Sequence, residues 1–563
     1  MTPSHSTQAK TPRTDPFRWS RADVANALDH FTSADASSQR HCAEQLGIPH
    51  ATLNYWTRHY SPDQDDPVDS FFRSPCGEAV LRRIVLAALT SFHLHGACGI
   101  RLVAAFLEQA QLDRFGATSR GALHPFAATV ATELVAFRDC EQPTLAQQMK
   151  PRTITLVPDE HFHSGQPCLV AIEPVSNFVL VECYKQQRDA DTWKEAVKEG
   201  MAGMPVEVVQ MTSDEARALI CLAEKGFDAA HSPDLFHGQR HLLQPLLLPL
   251  TRPIQQAEKE LEKASKLVEK LDGPAEQAQT TQQLNALIDA VRQQVGVEQR
   301  LEQAKARQEK AVQEVRAVAD DYHPFDRQTG QPLSAEEVGK RLNRHIDEME
   351  KVVEQAKLGD KPRQAVARAR PWLATLMGCV AWFWSVATAR VEEMDLDEEQ
   401  ERVVKEKLLA GHYWTMAAGR ARTVQERKRL KELAERLKRE AWQEGGALSR
   451  LSEQEKKRVA EVAQQGAELF QRSSSCVEGR NGRLSLQHHG HSRVSEQRLK
   501  ALTVLHNYLV KRADGTTAAE RFYGQKHKDL FSWLLERMPD LPRPAQKRPK
   551  PPAETFPVGC GSV

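Results

Sequence analysis

No CxxC pair and no Cys/His quartet at zinc spacing occurs among the ten cysteines, which stand at 42, 76, 98, 140, 168, 183, 221, 379, 476 and 560. A zinc-ribbon or disulfide-framework reading is excluded on that ground, and free thiols in a reducing cytoplasm are expected. The opening MTPSHSTQAKTPRTDP lacks the apolar stretch of a secretory signal, so no export is expected. Net charge is scarce too, at +1 for the whole chain. A balance near zero does not exclude a polyanion partner, because phosphate binding depends on a local basic surface. Long apolar runs are absent with one exception, Pro371 to Ala389, PWLATLMGCVAWFWSVATA, 19 residues without a charge between Arg370 and Arg390. That is close to the ~20 residues of a membrane span. Thr375, Gly378, Ser385 and Thr388 dilute it, however, and strongly polar helical text flanks it. A helix buried in a helical domain, with no membrane, is the expectation.

What is present is enough chain for several cores. At 563 residues, 40% of them apolar, a prior of about 150 residues per domain gives three or four domains. Residues 1–16 and the Pro-rich basic stretch 539–563 read as disordered ends. Within 17–64, Cys42, Ala43 and Leu46 supply one helical stripe, Gly47-Ile48-Pro49 a break, and Leu53, Tyr55 and Trp56 a second helix. That is the spacing of a helix-turn-helix DNA-binding domain. Its second helix carries His50, Thr52, Asn54 and Arg58, polar side chains suited to base edges or phosphates. A plain helical hairpin shares the turn signal. Residues 65–150 read as a second helical domain.

From Arg152 the period changes. TITLVPDEHF, PCLVAIEP and FVLVECYK are short β-rich runs at hairpin spacing, followed by the helix-like DTWKEAVKEGM and a fourth run, VEVVQM. These predict a mixed α/β sheet over 151–245. Residues 246–470 read as a helical insertion, partly coiled coil. Ile254, Ala257, Leu261, Ala264, Val268 and Leu271 step alternately by three and four, DGP breaks the helix, and LNALIDAV resumes it. The outline is an antiparallel hairpin. Residues 471–538 hold the remaining helices.

Between Arg472 and Arg512, eight Lys or Arg (472, 480, 483, 493, 498, 500, 511, 512) meet only two acids, 478 and 496. Such a surplus points to a polyanion, with Arg480, Asn481, Arg483 and Arg493 as contacts, and leaves Glu478 as an acid with a separate role. Asp159 ends the first β run, Asp214 follows the fourth, and Glu478 lies in helical text far downstream. Phosphodiester chemistry through two metal ions about 4 Å apart needs carboxylates converging from separate elements. Magnesium suits such oxygen ligands. Glu160, beside Asp159, takes its place if the strand register is shifted by one. Asp234 and His237, in SPDLFHGQRH, are secondary candidates, with helix capping the competing role for Asp234. The histidines of LQHHGHS read as solvent or phosphate contacts, and Trp382, Trp384 and Trp414 as core residues ahead of base-stacking ones.

The runs DEHFHSGQPCLVAIEP, TSDEARAL, PDLFH and SSSCVEGRNGRLS, with LTVLHNYLVKRADGTTAAERFYG, together resemble prokaryotic insertion-sequence transposases of the DDE type. The resemblance covers roughly residues 150–245 and 470–535, and its specificity lies in the joint order of the runs. It implies a ribonuclease H-like α/β core with a mixed sheet, N-terminal all-α DNA-binding helices and a large all-α, partly coiled-coil insertion. It further implies Asp159, Asp214 and Glu478 as catalytic and metal-binding residues holding two Mg2+ (or Mn2+) ions. The activity would be phosphodiester hydrolysis at element ends and strand transfer into target DNA. The expected partner is double-stranded DNA, bound by a homodimer for which the coiled-coil hairpin is a candidate contact, and the expected location is cytoplasmic and nucleoid-associated. Two alternatives stand beside this. One is a catalytically inactive, transposase-derived DNA-binding or regulatory protein. The other is a structural coiled-coil protein, which leaves the strand-Asp pattern without an explanation.

Overall fold

The computed structural model describes residues 21–33, 38–59, 67–272, 280–490 and 494–541. The expected disordered ends (1–16 and most of 539–563), Gly273-Pro274 of the hairpin break, and Arg493 lie outside the described residues. The chain forms two compact units, Met1–Met149 with Gly482–Val563, and Lys150–Asn481.

In the first unit, helices Arg21–Ser33, Gln39–Gln45 and His50–His59 enclose a small core of Val24, Ala27, Leu28, Cys42, Ala43, Ile48, Leu53 and Trp56. Ser38 caps the middle helix. Gly47, at φ +62°, makes the sharp turn between the second and third helices, a left-handed conformation that a Cβ disfavours. The long helix Arg120–Gln148 organises the rest of this unit. Its Phe137 meets Tyr508 and Trp533 edge-on, and its Glu141 accepts from Lys528 Nζ at 2.7 Å. These contacts correct the expected extent of the α/β core. The helices after Asn481 bury their apolar faces on Arg120–Gln148, so 482–538 belongs to this unit and not with the sheet.

The second unit is built on a mixed five-stranded sheet. The strands are β1 (Arg152–His163), β2 (Gln166–Glu173), β3 (Phe178–Tyr184), β4 (Val206–Ser213) and β5 (Ala230–Pro233). Their order is β3-β2-β1-β4-β5. β1, β2 and β3 are antiparallel neighbours, whereas β4 and β5 run parallel to β1. Ser164 and Gly165, both at positive φ, close the β1–β2 hairpin, as a two-residue turn matching strand twist requires. β1 is longer than its first run suggests, because it pairs with β2 to His163 while its ladder with β4 stops at Leu156↔Met211. Pro158 lies just beyond that stop, where a missing N–H is tolerated. Cys168 to Ile172 are fully buried.

Helices make up the remainder. Leu235–Asp272 and Thr281–Asp321 lie antiparallel, as ion pairs Glu260–Arg300 (3.1 Å) and Glu258–Lys305 (3.1 Å) show. Ile254, Ala257, Leu301 and Ala304 fill the seam between them. Leu235–Asp272 continues through Pro245, Pro249 and Pro253, because Leu242, Leu246, Leu250 and Ile254 bury a stripe along it. The apolar run at 371–389 lies in helix Asp360–Glu392, which is long and apolar enough to cross a membrane. One side of it, including Trp372, Leu376, Val380 and Phe383, sits in the helical core. Trp414 is fully buried there, and Trp384 Nε1 donates to the Leu333 carbonyl at 2.8 Å.

Candidate active site

Three acids follow the carboxyl ends of the two neighbouring parallel ladders that join β1, β4 and β5. Asp159 stands three residues past Leu156, where β1 leaves β4. Asp214 directly follows Ser213, and Asp234 directly follows Pro233, the residues paired where β4 meets β5. The Asp234 N–H donates to the Ser213 carbonyl at 2.7 Å. The crevice outside the carboxyl ends of parallel strands is where open α/β sheets bind ligands. The alternation of β1 separates the two adjacent acids. Glu160 is held by Arg188 Nη1 at 2.6 Å and lies 3.5 Å from Trp193 Nε1, whereas Asp159 Oδ2 accepts from Asn481 Nδ2 at 2.8 Å.

Helix Ser475–Gly490 brings Glu478 to Asp234. Ligand atoms of Asp234, His237 and Glu478 all lie within 4.8 Å of one another, while Asp159 and Asp214 are not in that ligand group among the described residues. Asp234 is almost wholly buried and caps the helix Leu235–Asp272, its Oδ1 accepting from the Phe236 N–H at 3.0 Å. Its Oδ2 takes the His237 Nδ1–H at 2.5 Å and the Ser474 hydroxyl at 2.6 Å. Capping and membership of the cluster, set against each other as readings of the sequence, are combined in this one residue.

The electrostatics are those of an acid cluster held together by the fold. Burial raises Asp159 to about 6; the Glu160 N–H opposes this, and Asp214 and Glu478 reinforce it. Burial, then Asp234, also raises Glu478, against the pull of His237 and Arg240. Asp234 goes the other way. Burial would raise it, but hydrogen bonds from His237, Ser474 and the Phe236 N–H bring it below the usual carboxylate range. His237 is raised, first by Asp234 and then by Glu478 and Asp159. Beside the cluster, helices Leu235–Asp272 and Asp360–Glu392 border a cleft of ≈ 530 Å³ whose lining includes Glu215, Gly238, His241, Lys361, Arg368 and Trp372.

The basic region downstream of Arg472 does not form one outward-facing surface. Arg480 is buried and bound through Nε and Nη2 to both oxygens of Glu182, so it is a core ion pair and not a phosphate contact. Asn481 is turned onto Asp159. Arg472 donates to the carbonyls of Ala319 and Tyr322. In the first unit, Arg483 is exposed, with Nη1 3.1 Å from His95 Nε2. In that unit too, His50 and Arg58 are exposed and Thr52 and Asn54 half-buried. Two members of the cluster, Ser474 and Arg240, are not singled out by the sequence. Arg240 has a signal, since it continues the three-residue step of Asp234 and His237 along one helix face; Ser474 has none.

A family of unknown function, DUF6399, is matched by residues 404–550, a stretch that includes Glu478 and Asn481. No curated protein and no solved structure matches the chain.

Proposed function

We propose that this chain is a metal-dependent DNA strand transferase of the DDE transposase type, with the second unit's sheet as a ribonuclease H-like core. The observation that carries the reading is the convergence of acids from remote parts of the sequence. Asp159 and Asp214, from the ends of parallel ladders, interact electrostatically, and Asp159 in turn interacts with Glu478 on a helix hundreds of residues downstream. Half-buried carboxylates that repel one another cost stability, and such sets concentrate at functional sites.

The donors fit a hard divalent cation. They are carboxylate oxygens, and the buried Oδ1 of Asn481 beside them has no hydrogen-bond partner among the described residues. Asp159, Asp214 and Glu478 would hold Mg2+ or Mn2+, with Asp234 and His237 adjoining. Bound there, two such ions supply a nucleophilic water and neutralise charge developing on a phosphodiester. The chain's own groups then have separate tasks. Asn481 orients Asp159, Ser474 and the Phe236 N–H fix Asp234, and Asp234 raises the His237 imidazole above its ordinary range. Lys361, Arg368 and His241 give the neighbouring cleft a basic wall for a strand of DNA.

The test is to incubate the protein with magnesium and DNA carrying the flanking ends of its own gene. End-specific nicking is expected from the wild type and its loss from Glu478→Gln, with DNA binding retained. Nicking by Glu478→Gln at the wild-type rate would remove Glu478 from the active site. End-specific binding without nicking by the wild type would favour a regulatory descendant of such an enzyme.

A further inference from the structure

Three hydrogen bonds lock the end of β5 to the segment that opens helix Ser475–Gly490. Ser232 Oγ donates to the Gln471 carbonyl at 3.4 Å, the Leu235 N–H to the Arg472 carbonyl at 3.0 Å, and the Ser474 hydroxyl to Asp234 Oδ2 at 2.6 Å, the last across 240 positions of sequence. Asp234 precedes one helix, His237 lies in its first turn, and Glu478 lies in the first turn of the other. Their ligand atoms, all within 4.8 Å of one another, are therefore brought together by backbone and not by the free rotation of three side chains. A ligand set held in place by the fold loses little freedom on binding, which favours affinity. We propose that Asp234, His237 and Glu478 form a site for one divalent cation of the Zn2+ or Co2+ kind, separate from the pair of hard ions assigned above to the carboxylates.

The donor set is one imidazole nitrogen and two carboxylates. Magnesium takes oxygen ligands and gives up its water reluctantly, whereas an imidazole suits the later first-row ions, whose affinity for such sites rises from Mn2+ towards Cu2+. His237 sets the selectivity. Two metal–ligand bonds of ~2.1 Å reach about 4 Å between ligand atoms, so a group within 4.8 Å closes on an ion through side-chain adjustment alone. The ion replaces the proton that His237 Nδ1 shares with Asp234 Oδ2, and that proton leaves to water. Ser474 and the Phe236 N–H stay on Asp234, as the outer hydrogen bonds that orient a ligating carboxylate. Glu478 has two oxygens and can serve this ion and a neighbouring hard ion together. Neither Asp159 nor Asp214 is needed.

Equilibrium dialysis of the full-length protein against about 10 µM Co2+, with about 5 mM Mg2+ present throughout, tests the site. The wild type should retain about one Co2+ per chain more than His237→Asn or Glu478→Gln does. His237→Asn keeps an N–H for Asp234 and removes the imidazole, so the ligand is lost while the hydrogen bond that holds the frame remains. Should that variant fail to fold, Glu478→Gln carries the comparison. Co2+ should also raise the melting temperature of the wild type and leave that of Glu478→Gln at its metal-free value. Asp214→Asn should retain Co2+ as the wild type does. A wild type that binds no more Co2+ than Glu478→Gln, a Co2+ ion that the Mg2+ displaces, or loss of Co2+ from Asp214→Asn would overturn the proposal. Nicking is not read in any arm. Magnesium-dependent nicking without Co2+ retention would sink this site alone, and Co2+ retention without nicking would leave it standing apart from the catalytic reading.

Discussion

Asn481 donates its side-chain N–H to Asp159 across 322 positions of sequence, while Glu478, one helical turn earlier, stands against Asp234 and His237. Residues three apart share a helix face. One face of helix Ser475–Gly490 thus supplies an acid and orients another. Burial raises Asp159 to about 6, more strongly than the Glu160 N–H, which favours the charged form, can oppose.

That balance sets a pH dependence in chelator-treated protein. The folded value of Asp159 lies above the ordinary ~3.9 of an unfolded chain, so its contribution to stability is fully present below pH ~4 and is lost as pH rises through about 6. Asp159→Asn should therefore be more stable than the wild type at pH 7 by about 3 kcal/mol, and no more stable at pH 4. Thermal melts of both proteins in chelator at the two pH values measure this. A wild-type advantage at pH 7 would contradict the assigned burial cost.

Arg480→Ala should unfold the second unit more than it affects DNA. It leaves Glu182 buried without its counter-charge, a loss of about 3–5 kcal/mol. Replacing both, as Arg480→Met with Glu182→Leu, should recover most of that loss. Denaturant titrations of the single and double variants decide it. A fully stable Arg480→Ala protein with a reduced salt dependence of DNA binding would return Arg480 to the phosphate-contacting group.

The Arg480 pair also marks the boundary of what the sequence discloses. A local count of basic residues finds the cluster, but whether an arginine turns inward depends on Glu182, which lies 298 positions away on β3. The first four strands are legible, because hairpin spacing and β-branched runs are local signals. β5 is not: AHSP has no strand propensity and is held by its ladder to β4. Asp159 against Glu160 is a question of register, which the sequence leaves open and the alternation of β1 answers. The three prolines after Gln244 suggest a boundary, yet burial of the neighbouring leucine stripe carries the helix through them. His237 is half legible, since its three-residue step from Asp234 is visible while its approach to Glu478 depends on tertiary packing.

His345 offers a pH test away from the acid cluster. Its Nδ1 meets Glu314 Oε2 at 2.6 Å and its Nε2 meets Asp321 Oδ2 at 2.9 Å. Burial alone would lower the imidazole, but hydrogen bonds to Asp321 and Glu314 outweigh it and raise the group. A raised histidine stabilises fully below its unfolded value near ~6.5 and loses that contribution as pH rises through the folded value. Melting temperature should fall from pH 6 towards alkaline pH, and His345→Gln should flatten that slope. Equal slopes for the two proteins would remove His345 as its source.

The three-helix cluster at Arg21–His59 separates shape from contact in two substitutions. Gly47 sits at φ +62° with open space where a Cβ would go, so Gly47→Val costs only backbone strain, about 1–2 kcal/mol, and Gly47→Asn should cost less. Arg58 is exposed on the third helix, and Arg58→Ala should leave the melting temperature unchanged. If this cluster is the DNA-reading element, Arg58→Ala weakens binding to all duplex sequences alike, and the slope of log affinity against log salt falls by about 0.9, the share of a single neutralised phosphate. Asn54→Ala should instead act unevenly across sequences, since base edges and not phosphates carry sequence information. Fluorescence anisotropy at several salt concentrations with two unrelated duplexes distinguishes these outcomes. Unchanged affinity and slope in both variants would leave the cluster a structural hairpin, its short third helix explained by the burial of Leu53 and Trp56 alone.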